Sequence, residues 1–340
     1  MSLSLNNVNM LKIRDLEIWP PIALAPMVGL SHSGLRCLVQ GLGGIGLLYT
    51  EMLAAKRLPS DNPKFSPLLT RTSIEKPLIY QLVTGDIEHI GAAVDKLHQL
   101  KADGVDLNLG CPAPLQKKQG AGSSLCQNRS NLQNILRELR KKTNLPLSVK
   151  IRLGAKIDDE ALAASCRFYE DEGVDLITVH GRLIGEKFCR KARWAPIAAA
   201  KNAVSIPVFA NGGIFSVDDA RRCLDESGAD GLMVGRGAVE QPWLCGDIGR
   251  ELFGSPAKVE VVDKREVYFN FIHLIEARFS EEKRLGRLKQ FTRYYAGTFK
   301  FGHQLASRVQ SSETVVEAKE RAECFFTTTT KVEQTPGFCN

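Results

Sequence analysis

Three things are scarce in this sequence, and each scarcity closes off a class of protein. The nine cysteines contain no C-x-x-C pair, so their spacing supports neither a disulfide framework nor a zinc site, and no metal is expected. No apolar run is long enough to span a bilayer; the longest, residues 20–30, contains three prolines, and no membrane partner is expected. Residues 1–20 are polar and lack the apolar core of a secretory signal, which makes the cytosol, with reduced thiols, the expected compartment. The third gap is local. From Lys283 to Ser312 there is no acidic residue at all, while Lys283, Arg284, Arg287, Lys289, Arg293, Lys300 and Arg308 fall within it.

What is present is ordinary in amount and particular in order. An apolar share of 44% suits a protein with a sizeable core. The net charge of +7 and a pI near 8.9 are compatible with a polyanionic partner without requiring one. A length of 340 residues exceeds one barrel of about 250 residues by a small appendage. Short apolar runs rich in β-branched residues predict strands at 22–25, 46–49, 78–82, 105–109, 147–151, 176–179, 208–210 and 231–234. Amphipathic stretches between them predict helices at 87–100, 131–142, 159–172 and 217–226. An internal echo, Gly104-Val105-Asp106-Leu107, Gly173-Val174-Asp175-Leu176 and Gly228-Ala229-Asp230-Gly231, closes a helical stretch and opens a strand each time. Its glycine suits the left-handed backbone at a helix C-terminus. Eight strands with helices between them predict an α/β fold, a (β/α)8 TIM barrel over residues 1–250, with a small all-helical domain at 255–326 and a flexible tail at 327–340.

Gly41-Leu42-Gly43-Gly44-Ile45-Gly46 spells G-x-G-x-x-G, but it precedes a strand, whereas a dinucleotide fingerprint follows one and opens a helix. It reads as an αβ turn. In the acid-free window, Phe291, Tyr294, Tyr295, Phe299 and Phe301 interleave with the basic residues. Two readings compete: a helical domain with aromatics packed inward, or a face for nucleic acid with phosphate contacts from the basic side chains; the second is preferred.

In a barrel the chemistry sits at the C-terminal ends of the strands. Those ends carry Pro26-Met27, Gln81, Asn108 to Pro112, Lys150-x-Arg152, His180-Gly181-Arg182, Asn211-Gly212-Gly213 and Gly235-Arg236-Gly237. Glycine-rich loops after strands 7 and 8 present bare backbone N–H groups to a phosphate, and Arg236 adds charge. Gln81, Lys150 and His180 would project into the barrel mouth. A lysine beneath a planar ring stabilises negative charge on it, as a reduced flavin requires, so FMN is the expected cofactor. Cys111 admits two readings. It is a buried loop thiol packing as a small hydrophobe, or a reactive group, since an ordinary thiol with a pKa of about 8.5 carries its proton at neutral pH and can donate it.

Taken in order, these elements resemble the tRNA-dihydrouridine synthases. The resemblance rests on Ala25-Pro26-Met27, Gln81-Leu82-Val83, Asn108-Leu109-Gly110-Cys111-Pro112, Ser148-Val149-Lys150-Ile151-Arg152, Val179-His180-Gly181-Arg182, Ala210-Asn211-Gly212-Gly213-Ile214 and Val234-Gly235-Arg236-Gly237-Ala238. It implies that NADPH reduces FMN, that hydride then passes to C6 of a uracil in tRNA, and that Cys111 protonates C5. It also implies that Pro26, Met27, Gln81, Lys150 and His180 hold the flavin, and that Asn211, Gly212, Gly213, Gly235 and Arg236 take its phosphate. Asn108 and Arg152 would meet the uracil edge. Phe188 would lie near the extruded base, where an aromatic face replaces lost stacking. Arg287-Leu288-Lys289-Gln290 resembles the type acting at position 16 of the D-loop. A monomer is expected.

Two departures stand out: Thr84 before Gly85, which shifts the turn after Gln81 by a residue, and Gly122-Ser123-Ser124 in place of a more glycine-rich run. The 112–122 loop, with Lys117 and Lys118, is expected to close over tRNA. A barrel oxidoreductase for a free pyrimidine and a non-catalytic tRNA-binding protein are the alternatives.

Overall fold

The computed structural model describes residues 10–64, 66–256 and 261–333. All eight predicted strands form: β1 (Ile22–Leu24), β2 (Leu48–Tyr49), β3 (Leu78–Val83), β4 (Gly104–Asn108), β5 (Leu147–Arg152), β6 (Leu176–His180), β7 (Val208–Asn211) and β8 (Gly231–Val234). From β2 to β8 each pairs in parallel with the next, and β8 pairs with β1. The ring closes where Ala23 bridges Leu47 and the Leu24 N–H donates to the Leu47 carbonyl at 2.9 Å. Strands buried on both faces must be apolar nearly throughout, which is why they were readable as short continuous runs.

Around the ring lie α1 (Ser33–Leu42), α2 (Ile90–Gln99), α3 (Arg129–Lys142), α4 (Asp159–Asp171), α5 (Ile197–Ala203), α6 (Val217–Ser227) and α7 (Leu244–Phe253). The side chains of Asn128, Asp158 and Ser216 accept backbone N–H bonds at the starts of α3, α4 and α6. The G-x-G-x-x-G run is the turn from α1 into β2, with Gly43 and Gly44 at positive φ. The echo holds less uniformly than expected. Gly173 and Gly228 take left-handed φ values of 83° and 61°, but before β4 that role falls to Lys101 at 55°. Gly104 instead opens the strand, where a Cβ would come within 2.9 Å of Ile79.

The lower barrel interior is apolar: Tyr49, Ile79, Leu176, Phe209 and Met233 pack together. A hairpin of Leu11–Ile13 and Leu16–Ile18 seals it with Ile13 and Ile18. Above that layer the interior turns polar, and strand register stacks it. Gln81, Asp106 and Ser148 are adjacent across β3, β4 and β5. Asn108 pairs with Lys150, and His180 lies between Arg152 and Asn211. Parallel strands in register point neighbouring residues the same way, so these side chains climb in tiers to the C-terminal mouth.

Beyond the barrel come α8 (Lys264–Arg278), α9 (Glu281–Tyr295), α10 (Gly302–Gln310) and α11 (Val315–Glu333). Their aromatics pack inward: Phe271 and Phe291 stack at 3.8 Å between centroids, and Phe291 meets Tyr295 at 5.0 Å. The interleaved pattern is therefore mainly a core, and Phe301 and Tyr294 are its outliers. The stretch read as a tail begins as helix, since α11 continues past Thr327 to Glu333; residues 334–340 lie outside those described. The helical region rests on the barrel rim. Arg287 Nη1 donates to the Gly29 carbonyl at 2.9 Å, and Gln290 Nε2 donates to the Val28 carbonyl at 3.4 Å. No described helix is long and apolar enough to cross a membrane.

Candidate active site

The strand ends enclose a cavity of about 620 Å3 at the C-terminal mouth. Every residue expected at the site lines it: Cys111, Pro26, Met27, Gln81, Lys150 and His180, then Asn211, Gly212, Gly213, Gly235 and Arg236, and also Asn108, Arg152 and Phe188.

Hydrogen bonds between tiers set the floor. Lys150 Nζ donates to Asn211 Oδ1 at 2.8 Å, and Asn211 Nδ2 donates to the Met233 carbonyl at 2.6 Å, so the lysine is aimed by a side chain itself anchored to β8. Burial pulls the Lys150 ammonium down to about 8, against an upward pull from Asp106. Burial pushes Asp106 up to about 7, opposed by its bonds to Ser148 and Gln81. His180 is held far below its ordinary pKa, first by burial and then by the cations Lys150, Arg152, Arg182 and Arg236. It is neutral. Arg182 Nη1 lies 3.0 Å from His180 Nε2, and a guanidinium can only donate, so Nε2 accepts and the ring proton sits on Nδ1.

One wall is cationic. Arg182 and Arg236 both reach the Phe188 carbonyl at 3.4 Å, beside Gly212 and Gly213, whose positive φ values (109° and 75°) turn the backbone in a way only glycine takes easily. A Cβ on Gly212 would lie 2.4 Å from His180 Cδ2. This corner has the bare amides and fixed charge that an anion needs. The Phe188 ring, 54% exposed, sits 4.8 Å from the Arg236 guanidinium. It therefore borders the anion corner as well as the open mouth.

On the opposite side, β4 ends in Asn108, whose Oδ1 accepts from the Cys111 N–H at 2.9 Å and the Gly110 N–H at 3.2 Å. The Cys111 carbonyl accepts from Ser123 N and Ser123 Oγ at 3.0 and 3.1 Å. Cys111 is partly exposed to the cavity, which sets aside the reading of a buried packing thiol. Burial lowers the pKa of Arg152, partly offset by nearby Cys111 and Glu186; its Nη1 donates to the Leu183 carbonyl at 2.8 Å. The 112–122 segment folds as a short helix, Pro114–Lys118, and a turn. After Gln81, β3 runs to Val83 and Thr84 Oγ1 bonds the Asp86 carbonyl at 2.8 Å, while Gln81 still faces the cavity.

Sequence reasoning did not place Met52, Glu186, Phe215 or Tyr294 in the lining. Tyr294 comes from α9, so the helical region forms part of the wall; nothing local in the sequence links it to the barrel mouth. Arg182 stood in the His-Gly-Arg motif, but its grip on the His180 tautomer needed coordinates. Arg287, expected among the phosphate-contacting residues, is instead turned to the barrel, as is Gln290 of the same motif.

Comparison with known proteins finds relatives along nearly the whole chain. The model of the dihydrouridine synthase family matches residues 23–330. A probable tRNA-dihydrouridine synthase of Mycobacterium tuberculosis is 30% identical over 323 residues, 90% of this chain and 82% of that one. The tRNA-dihydrouridine(16) synthase of Pseudomonas putida is 34% identical over 279 residues, covering 79% of this chain and 86% of its own length. Among solved structures, a 2-naphthoyl-CoA reductase complex superposes with a TM-score of 0.57 at 14% identity, over 73% of this chain and 52% of that one, which speaks for the barrel fold alone. With the family model spanning nearly the whole chain, the protein belongs to the dihydrouridine synthase family.

Proposed function

We propose that the protein reduces the C5–C6 bond of a D-loop uridine in tRNA, with FMN as cofactor and NADPH as electron donor. One observation carries this reading: Cys111 stands on a cavity that also holds the Lys150 floor, the Gly212/Arg236 anion corner and Tyr294 of the helical region. The residues fit a flavin mononucleotide. Lys150 offers a positive charge from below, His180 an Nδ1–H donor, and the two guanidiniums at Phe188 a seat for the phosphate. When bound, FMN supplies the hydride for C6, having been reduced by the nicotinamide.

The chain's own groups do the rest. Cys111 holds the proton for C5 at the cavity edge, with its loop tied to Asn108 on one side and Ser123 on the other. Asn108 and Arg152 lie on the same side and meet the uracil edge. Phe188, exposed with its ring 5.8 Å from the Arg152 guanidinium, offers an aromatic face to an extruded base. Exposed Lys283, Arg293 and Lys300 supply charge for the phosphate backbone. A wall shared by barrel and helical region favours a macromolecular substrate over a free pyrimidine. Position 16 is the D-loop site we favour, on the likeness to the Pseudomonas putida protein.

The test is direct. Purified protein should be yellow and should form dihydrouridine in unmodified tRNA with NADPH. Colourless protein, or equal turnover of free uridine, would sink the reading.

A further inference from the structure

Beneath the cavity lies an ionisable side chain that the proposed chemistry leaves unused. Asp106, fully buried on β4, accepts from Ser148 Oγ at 2.6 Å and from Gln81 Nε2 at 2.7 Å. Gln81 Oε1 in turn accepts from Asn108 Nδ2 at 2.8 Å. Asn108 Oδ1 then accepts the backbone N–H groups of Gly110 and Cys111 at 3.2 and 2.9 Å. The polarity of this chain is dictated from both ends. The ionised Asp106 carboxylate only accepts, so in that form the Gln81 nitrogen must face it and the Gln81 oxygen must face Asn108. A backbone N–H only donates, so the Asn108 oxygen must face the thiol loop. Reversing either amide would set donor against donor at one end, and a buried mismatch of that kind is costly.

We propose that Asp106 is a positioning residue: its carboxylate orients the Gln81 and Asn108 amides and thereby holds the loop that carries Cys111. Its value to catalysis rests on the reading of Cys111 as the proton donor, but the hydrogen-bond relay itself does not. Burial also favours a short, strong relay, because a low local dielectric strengthens each bond in it.

The experiment is amide hydrogen exchange on the full chain, read over residues 109–113 and, as a control for global opening, over β5 and β6. Asp106→Leu removes the polarity while keeping the branched skeleton, and exchange of the Cys111 loop should rise at least fivefold relative to the β5 and β6 control. Adding Asn108→Asp should bring it back to within twofold of wild type, since a carboxylate at 108 accepts from both N–H groups whichever way Gln81 points. Asp106→Asn, which permits either polarity, should fall between. Should the leucine variant not fold, the Asn pair carries the same comparison. Loop exchange that tracks β5 and β6 in every variant, or no rescue by Asn108→Asp, overturns the proposal. In the activity assay the same variants should lower kcat for tRNA reduction more than they raise KM. A wild type that makes no dihydrouridine would refute the functional reading while leaving the exchange result standing.

Discussion

A methyl group placed on Gly122 tests how tightly the Cys111 loop is held. Gly122 has φ of 60°, and a Cβ there would stand 2.5 Å from the Cys111 carbonyl oxygen and 3.2 Å from its Cβ. The left-handed backbone alone costs an L-residue about 1–2 kcal/mol. The clash is with backbone rather than with a flexible tip, so it is relieved only by moving the Cys111 carbonyl off Ser123 N and Ser123 Oγ. Two hydrogen bonds are worth about 1–3 kcal/mol net. Gly122→Ala should therefore destabilise the protein by about 2–5 kcal/mol, or shift the thiol by of order an ångström, which lowers the rate about 100-fold. Thermal unfolding reads the first outcome. Single-turnover dihydrouridine formation by pre-reduced protein reads the second. A variant within twofold of wild type in rate and with an unchanged melting temperature would show that the loop is not constrained as argued.

Three further outcomes follow from other parts of the molecule. Arg36 and Glu75 form an ion pair at 2.7 Å with both side chains fully buried and every remaining polar atom bonded, so Glu75→Gln should cost about 3–5 kcal/mol in denaturant unfolding, and a loss under 1 kcal/mol would refute this. The Lys150 ammonium is lowered to about 8, so it is charged below that pH and loses its proton above it. FMN affinity of the apoprotein should accordingly fall as pH rises through about 8, and Lys150→Met should flatten that limb; an identical profile in the variant would assign the limb elsewhere. Gly212→Ala drives a methyl to 2.4 Å from His180 Cδ2, and purified variant should retain less than a tenth of the wild-type flavin absorbance; full yellow protein would disprove the close fit.

Much of the barrel was legible because its strands are buried on both faces and so appear as apolar runs bounded by glycine or polar residues. What escaped had weaker local signals. The hairpin at Leu11–Ile13 and Leu16–Ile18 uses three-residue strands within a polar stretch, and α1 starts after His32 with neither a side-chain cap nor an acidic first turn. The site was legible because function clusters at strand ends, which motif order locates without coordinates. Tyr294 was not, since it reaches the cavity from a helix far along the chain. The aromatic residues near it misled for a related reason: interleaving with basic residues is the same pattern whether rings face a core or a ligand, and Phe291 and Tyr295 face the core.

The contact of Arg287 and Gln290 with the Val28–Gly29 backbone has an architectural consequence. The residues that would read an RNA and the residues that would reduce it are not separable modules joined by a tether. Gly29 sits at φ 81°, and a Cβ there would lie 2.5 Å from the amide tip of Gln290, so the seam is closely fitted. A chain ending at residue 256 would keep the barrel's share of the cavity lining and lose Tyr294 from its wall. Exchanging the helical region between relatives, as a route to a different target uridine, must therefore carry Arg287, Gln290 and the loop they grip as one transferable piece.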